Sequence, residues 1–237
     1  MKSGRGVSRP GSKKTPSARG RRAPLSPDRV FGEALRLVDA QGLASLSMRK
    51  LAKALRVEAM SLYSHVANKE QILDGLVELV VGEIELPAIG GDWRVAMRRR
   101  ALSAYAALMR HPWAAMLLMS RLNIGPAMLR YADATIGCLT AAGFPYALAD
   151  HAWMTMDAYI YGFTLQKQNF PLDPSQYAAA AKQFMPLLPA GHLLHLRGMS
   201  EEVIAGRHDG IHHLDIGLDI LLDGFERMRE AARHGDA

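Results

Sequence analysis

The sequence predicts an all-α fold, on two observations. Apolar residues recur at helical spacing in segment after segment from Ser26 to Arg233, and no segment sustains the period-two alternation of a half-buried strand. The segments are also punctuated by helix-boundary residues: Ser, Asn or Asp ahead of a first turn, Pro within it, Gly after the last. At 237 residues the chain has room for one large domain or two small ones, and its 49% apolar and 22% charged content is that of a globular protein.

Each helix has its own signals. Ser26-Pro27-Asp28 supplies a cap, a proline at the first helical position and an acid in the first turn, and Val30, Ala34, Leu37 and Val38 follow until Gly42. Ser47 caps a shorter helix through Leu55, and a third runs from about Ala59 to Val66. Asn68, with Gln71 three residues on, reads as a capping box for a fourth helix over 68–86, dense in Ile72, Leu73, Leu76, Val77, Val80 and Ile84 up to Pro87. The Gly90-Gly91 pair marks a domain boundary near residue 88, giving a tail (1–25), a first domain (26–88) and a second (89–237). Asp92 caps a helix through Arg110. Segments 112–121, 126–142 and 145–169 follow, then a looser stretch, Pro171 to Arg207, with a helix at 175–185, and a last helix at about 212–233.

The net charge of +6 is unevenly spread. Residues 1–22 carry eight basic residues and no acid, leaving 21 basic against 23 acidic in the rest. This Ser-, Gly-, Pro- and Arg-rich tail buries too little apolar surface to offset chain entropy and is expected to be disordered. It reads either as a basic arm that adds phosphate contacts or as a solvated leader. Cys138 is the single cysteine and excludes an internal disulfide; with no uninterrupted apolar run of membrane-spanning length, the expectation is a soluble cytoplasmic protein with no membrane partner.

Segment 47–69 carries the chemistry. A helix of about nine residues, the turn Arg56-Val57-Glu58 and a second short helix have the spacing of a helix-turn-helix, whose second helix enters the DNA major groove. Leu51, Ala52, Leu55, Val57, Leu62 and Val66 fall on the inner faces. The outer face of the second helix shows Ala59, Met60, Ser61, Tyr63, Ser64 and His65, and the segment holds Arg49, Lys50, Lys53, Arg56 and Lys69 against the single acid Glu58. A helical hairpin with an exposed basic face is the alternative reading of the bare pattern.

The run RKLAKALRVEAMSLYSHVANKEQILDGL resembles the DNA-binding domain of the tetracycline-repressor (TetR) family of bacterial regulators. HPWAAMLLMSRLNIGPAMLRYADATIGCLTAAGFPYALADHAWMTMDAYIYGF and GLDILLDGFE are similar to that family's C-terminal ligand-binding domain. The resemblance implies a homodimeric, ligand-responsive repressor on a pseudo-palindromic double-stranded DNA operator. By matching position it implies that Arg49, Ser61, Tyr63, His65 and Lys69 meet bases or phosphates, while Met60 and Ser64 choose sequence. One departure is Arg56, where the family usually has glycine; a non-glycine residue in a left-handed conformation costs about 1–2 kcal/mol.

In the second half, Trp113, Met116, Met119, Met128, Trp153, Met154 and Met156 either line an apolar effector pocket or form plain core. Asp157, inside WMTMDAYIYGF, either pairs with one of the arginines 98–100 or meets a cationic or hydroxylated ligand. The expected effector is a mainly hydrophobic small molecule. Glu85 stands where the tetracycline-binding members place a drug-contacting histidine, which argues against tetracycline. His192/His195 and His208/His212/His213 with Asp209 have metal-like spacing in a loop-rich stretch without a partnering cysteine, so neither a metal nor a cofactor is expected.

The last helix is apolar on two sides: Leu214, Leu218, Leu221, Leu222 and Phe225 on one, Gly217, Ile220, Gly224 and Met228 on the other. Together with Ala152, Thr155, Tyr159 and Gly162 of segment 145–169, the second side reads as a homodimer interface, the alternative being a buried helix of a monomer. An activator of the same fold, and an all-helical enzyme or metal protein, are the rival functions; no P-loop, HExxH, nucleophile elbow or strand-borne GxGxxG is present, and no enzymatic activity is expected.

Overall fold

The computed structural model describes residues 24–189, 191–209 and 213–235, and every regular element among them is helical. The basic segment 1–22, expected to be disordered, lies outside the described residues.

The first four helices are α1 (Pro27–Gln41), α2 (Met48–Leu55), α3 (Ala59–Leu62) and α4 (Lys69–Gly82). Their starts follow the side-chain caps: Ser26 accepts the Arg29 N–H, Ser47 the Lys50 N–H at 3.2 Å, and Asn68 the Gln71 N–H at 2.9 Å. The Gln71 side chain reaches back to the Ala67 N–H at 2.6 Å, completing a reciprocal cap one residue earlier than the standard box. Arg56 terminates α2 in the left-handed conformation, φ 58°, where its N–H donates to the Lys53 carbonyl.

Helices α5 (Trp93–Arg110), α6 (Ala114–Ser120), α7 (Pro126–Ala141) and α8 (Tyr146–Asn169) follow, then α9 (Tyr177–Phe184), α10 (Leu194–Ile204) and α11 (Leu214–His234). Helix α8 is the hub of this half and packs against α5, α6, α7 and α11. The two halves share one continuous apolar core, from Val30 of α1 to Phe225 of α11.

Helix α4 joins the halves, touching α1, α5, α6 and α7. Three polar joints reinforce it. Arg121, just past α6, pairs with Glu70 and Asp74 of α4, each at 2.6 Å. Glu78 of α4 accepts the N–H groups of Ala127 (2.6 Å) and Met128 (3.2 Å), capping an α7 that has no cap of its own. Asp39 of α1 accepts the Trp113 indole N–H at 2.7 Å and faces His111 Nδ1 at 2.8 Å, while the other ring nitrogen faces Glu83 at 3.1 Å.

Four expectations are corrected in detail. The third helix ends at Leu62 rather than Val66, because Tyr63 and His65 make tight i−3 bonds and Ser64 Oγ donates to the Ser61 carbonyl, drawing it from the helical ladder. Helix α4 stops at Gly82 rather than at residue 86; Glu83 and Ile84 close it with i−3 bonds, and Ser103 accepts the Glu85 N–H. The segment expected over 112–121 starts later, at Ala114, after a turn in which the Ala114 N–H bonds the His111 carbonyl. Helix α10 lies in the stretch read as loop: its start has no side-chain cap, and Gly198 in its middle obscures the period.

Candidate nucleic-acid interface

Leu62 is fully buried and anchors α3, worth about 1.5–3 kcal/mol by burial of a leucine side chain. Leu51, Ala52 and Val66 are buried around it, and Leu55, Val57 and Ala59 are half-buried against the same core. This anchoring turns the other side outward. Met60 is 77% exposed and Tyr63 48%, Ser61 and Ser64 are exposed, and His65 is half-buried. Arg49, Lys50, Lys53, Arg56 and Lys69 are all exposed around this face. Among the described residues none of them has a carboxylate within ion-pair distance, whereas Arg94, Arg98, Arg99, Arg110 and Arg121 in the other half are all paired. Lys69 is the first residue of α4, where free backbone N–H groups and the helix dipole favour an anion. A cationic rim with no partner to surrender, framing a short exposed helix, is chemically suited to phosphate contact on the rim and base contact within.

The residues expected to line an effector pocket are spread between surface and core. Met116 and Met119 are exposed, because α6 turns Ala114, Ala115, Leu117 and Leu118 inward and leaves its methionines outside, and Met154 is exposed on α8. Trp113 is bound to Asp39 of α1, and Met156 is core, fully buried. Met128 is half-buried against the core. Trp153 and Asp157 do meet: Asp157 pairs with fully buried Arg100 and also accepts from Tyr131, Trp153 and Tyr161. The arginine pairing expected of Asp157 is thus observed. Burial opposes the Arg100 charge, but Tyr131 and Asp157 outweigh it and raise its pKa; burial likewise drives the Tyr131 phenol far above its usual range.

On the expected dimer face, Ile220 and Met228 are 64% and 52% exposed, Gly224 is half-buried, and Thr155 and Gly162 are exposed. Two residues are turned into their own subunit. Ala152 is fully buried in its own chain, and Gly217 is a close-approach glycine inside the subunit, since a Cβ there would collide with the Tyr159 phenol. Tyr159 itself is half-buried and donates to the Leu214 carbonyl at 3.1 Å. The acidic stripe Asp215, Asp219 and Asp223 is paired with Arg98 and Arg94 of α5. Among the described residues no three metal-ligating groups converge; His213 pairs with Asp209 at 2.9 Å, and His212 lies outside the described residues.

The fold and this surface define a class: an all-helical regulator that holds DNA with a helix-turn-helix and carries a second helical domain. Residues 31–76 match the bacterial regulatory proteins of the tetR family, and residues 86–229 match the tetracyclin repressor-like C-terminal domain. The chain belongs to the TetR family, and it is a ligand-responsive, DNA-binding transcriptional repressor. It is 29% identical over 230 residues to the HTH-type transcriptional repressor DrrR1 of Streptomyces coeruleorubidus, covering 93% of this chain and 84% of that one. It is 31% identical to the class G tetracycline repressor of Vibrio anguillarum, covering 85% and 94%. Among solved structures, apo ActR of Streptomyces coelicolor superposes with a TM-score of 0.75 at 25% identity, over 90% of this chain and all of that one, and ActR has also been solved in complex with actinorhodin. No helix among the described residues is long and apolar enough to cross a membrane.

Proposed function

We propose that two copies of this chain bind a pseudo-palindromic operator in the cytoplasm, one α3 in each of two successive major grooves, and leave it when a small molecule occupies the C-terminal domain. The observation that carries this reading is the rim of Arg49, Lys50, Lys53, Arg56 and Lys69, unpaired among the described residues, around the exposed face of α3. In it, Arg49, Tyr63, His65 and Lys69 meet phosphates or bases, Ala59 and Ser61 meet base edges, and Met60 and Ser64 set the preferred sequence.

The DNA-binding domain ends near residue 88, and the subunits meet through the exposed side of α11, at Ile220, Gly224 and Met228, with Thr155 and Gly162 of α8. Groove spacing requires recognition helices about 34–36 Å apart. An effector acts by changing that separation, and moving the population from 1:99 to 99:1 takes about 5.5 kcal/mol of preference for the released form. That ActR is described with a bound actinorhodin supports a small organic effector here.

The test is fluorescence anisotropy of the promoter DNA flanking the gene. Salt-dependent binding to one palindromic site by a dimer, lost in Ile220→Arg as light scattering shows a monomer, is the expected result; binding by a monomer, or none to any flanking fragment, defeats the proposal.

A further inference from the structure

Arg100 lies in the middle of α5, fully buried, and its guanidinium has more donors than the interior has acceptors. Nη2 donates to the Tyr131 phenol oxygen and to Asp157 Oδ1. Nε and Nη1 are equally buried and have no hydrogen-bond partner among the described residues. Asp157 cannot make up the difference, because donors already crowd both its oxygens: Arg100 and Tyr131 (3.3 Å) on Oδ1, Trp153 (2.8 Å) and Tyr161 (3.2 Å) on Oδ2. The guanidinium carbon sits 4.6 Å from the Tyr131 ring centroid, so one face is covered by an aromatic ring while the open N–H groups project in the guanidinium plane. Buried charged donors without acceptors are rare in protein interiors and costly to keep.

We propose that Arg100 recognises the effector, and that the class it selects is a flat aromatic molecule bearing an acceptor oxygen: a carboxylate, phenolate or quinone carbonyl. This rests on the effector-responsive reading above and deepens it. The site lacks acceptors rather than donors, so the cationic ligand that Asp157 alone suggests is the wrong charge. Arg100 is fully buried, whereas Trp153 and Tyr161, which donate to the same Asp157, are only half-buried, so a planar molecule would approach Arg100 past these two rings. One such oxygen would accept from Nη1 and a second from Nε, which opens on the other edge of the guanidinium; hydrogen bonds from a charged donor are the strong ones.

Isothermal titration of the operator-free, full-length protein tests this with three probes: 2-naphthoate, 2-hydroxy-1,4-naphthoquinone and the shape-matched cation 2-naphthylmethylammonium. The two oxygen-bearing probes should bind at least tenfold more tightly than the ammonium, and Arg100→Met should erase the preference. Arg100→Met strands Asp157 in the core, so Arg100→Met/Asp157→Leu, which removes both charges while keeping the site filled, carries the same test without a stranded charge. Equal binding of the ammonium, undiminished binding of naphthoate to either variant, or no binding of the oxygen-bearing probes overturns the assignment. Promoter binding is measured without probe: its absence defeats the repressor reading, whereas its presence beside a failed titration defeats only the role of Arg100.

Discussion

Lys69→Ala isolates the electrostatic part of the DNA interface. Lys69 is exposed at the first position of α4, its side chain makes no ion pair among the described residues, and the helix start is held by Asn68, so truncation leaves the cap intact. Alanine is also the best helix former. Each dimer loses two phosphate contacts, so the slope of log affinity against log salt should become shallower by about 1.8. At 0.15 M salt the lost counterion release corresponds to roughly thirtyfold weaker binding, or about 2 kcal/mol. Anisotropy titrations of an operator duplex and a scrambled duplex across a salt series measure both quantities. Both duplexes should lose the same factor, since a phosphate carries no sequence information, and the melting temperature should not move. An unchanged slope, or a loss confined to the operator, would refute the assignment of Lys69 to the backbone.

Asp39→Ala removes the acceptor shared by Trp113 and His111; with Asp39 facing solvent the cost falls at the low end, about 2 kcal/mol, and calorimetry should show a melting temperature lower by roughly 4–8 °C. Burial raises the pKa of Glu83, but Arg110 and His111 together hold it below its usual 4.5. The folded state therefore binds fewer protons than the unfolded one, so this stabilisation is present above the usual value and is lost as pH falls; the melting temperature of Glu83→Gln should decline less steeply than that of wild type from about pH 5 to 3. Gly217→Ala should cost about 1–3 kcal/mol in urea unfolding by forcing the Tyr159 ring aside, with a smaller loss in a Tyr159→Ala background. Glu78→Leu should leave probe-free operator affinity nearly unchanged while weakening release of the operator by oxygen-bearing probes, read in one anisotropy assay.

The parts legible in the sequence are those decided locally. Ser26, Ser47, Asn68 and Asp92 each cap the helix that follows, because a short polar side chain satisfies a backbone N–H wherever the rest of the chain goes. The turn at Arg56 was legible despite its left-handed residue, since the flanking apolar spacing fixed both helices. Facing was not legible where two partners compete for one side chain. Gly217 and Ala152 have the small size of interface residues, but Tyr159 and the subunit core claim them. Methionine composition misled for the same reason: Met116 and Met119 sit on the outward side of an α6 whose inward side is built from Ala and Leu. Arg100 was visible only as one of three consecutive arginines. Its isolation from acceptors depends on α7 and α8 meeting α5, which no local pattern encodes.

That three-helix meeting gives an effector a physical route to the DNA. Tyr131, stacked beneath the Arg100 guanidinium, lies one turn from Ala127, whose N–H is held by Glu78 of α4. A ligand that shifts Tyr131 must move the start of α7 or distort it, and a packed interior transmits such a shift better than it absorbs it. The Glu78 carboxylate passes the displacement to α4, a 14-residue lever of about 20 Å whose other end begins at Lys69. Arg121 grips the same helix nearer the DNA through Glu70 and Asp74, so α4 is held at both ends by the domain that would bind the effector. Spatial continuity alone does not establish coupling. Glu78 distinguishes the cases, because it touches neither Arg100 nor the DNA rim: if Glu78→Leu loses induction while naphthoate still binds with wild-type affinity in the titration, the loss lies in the joint between α7 and α4, and an equal loss of naphthoate affinity would place it at the ligand site instead.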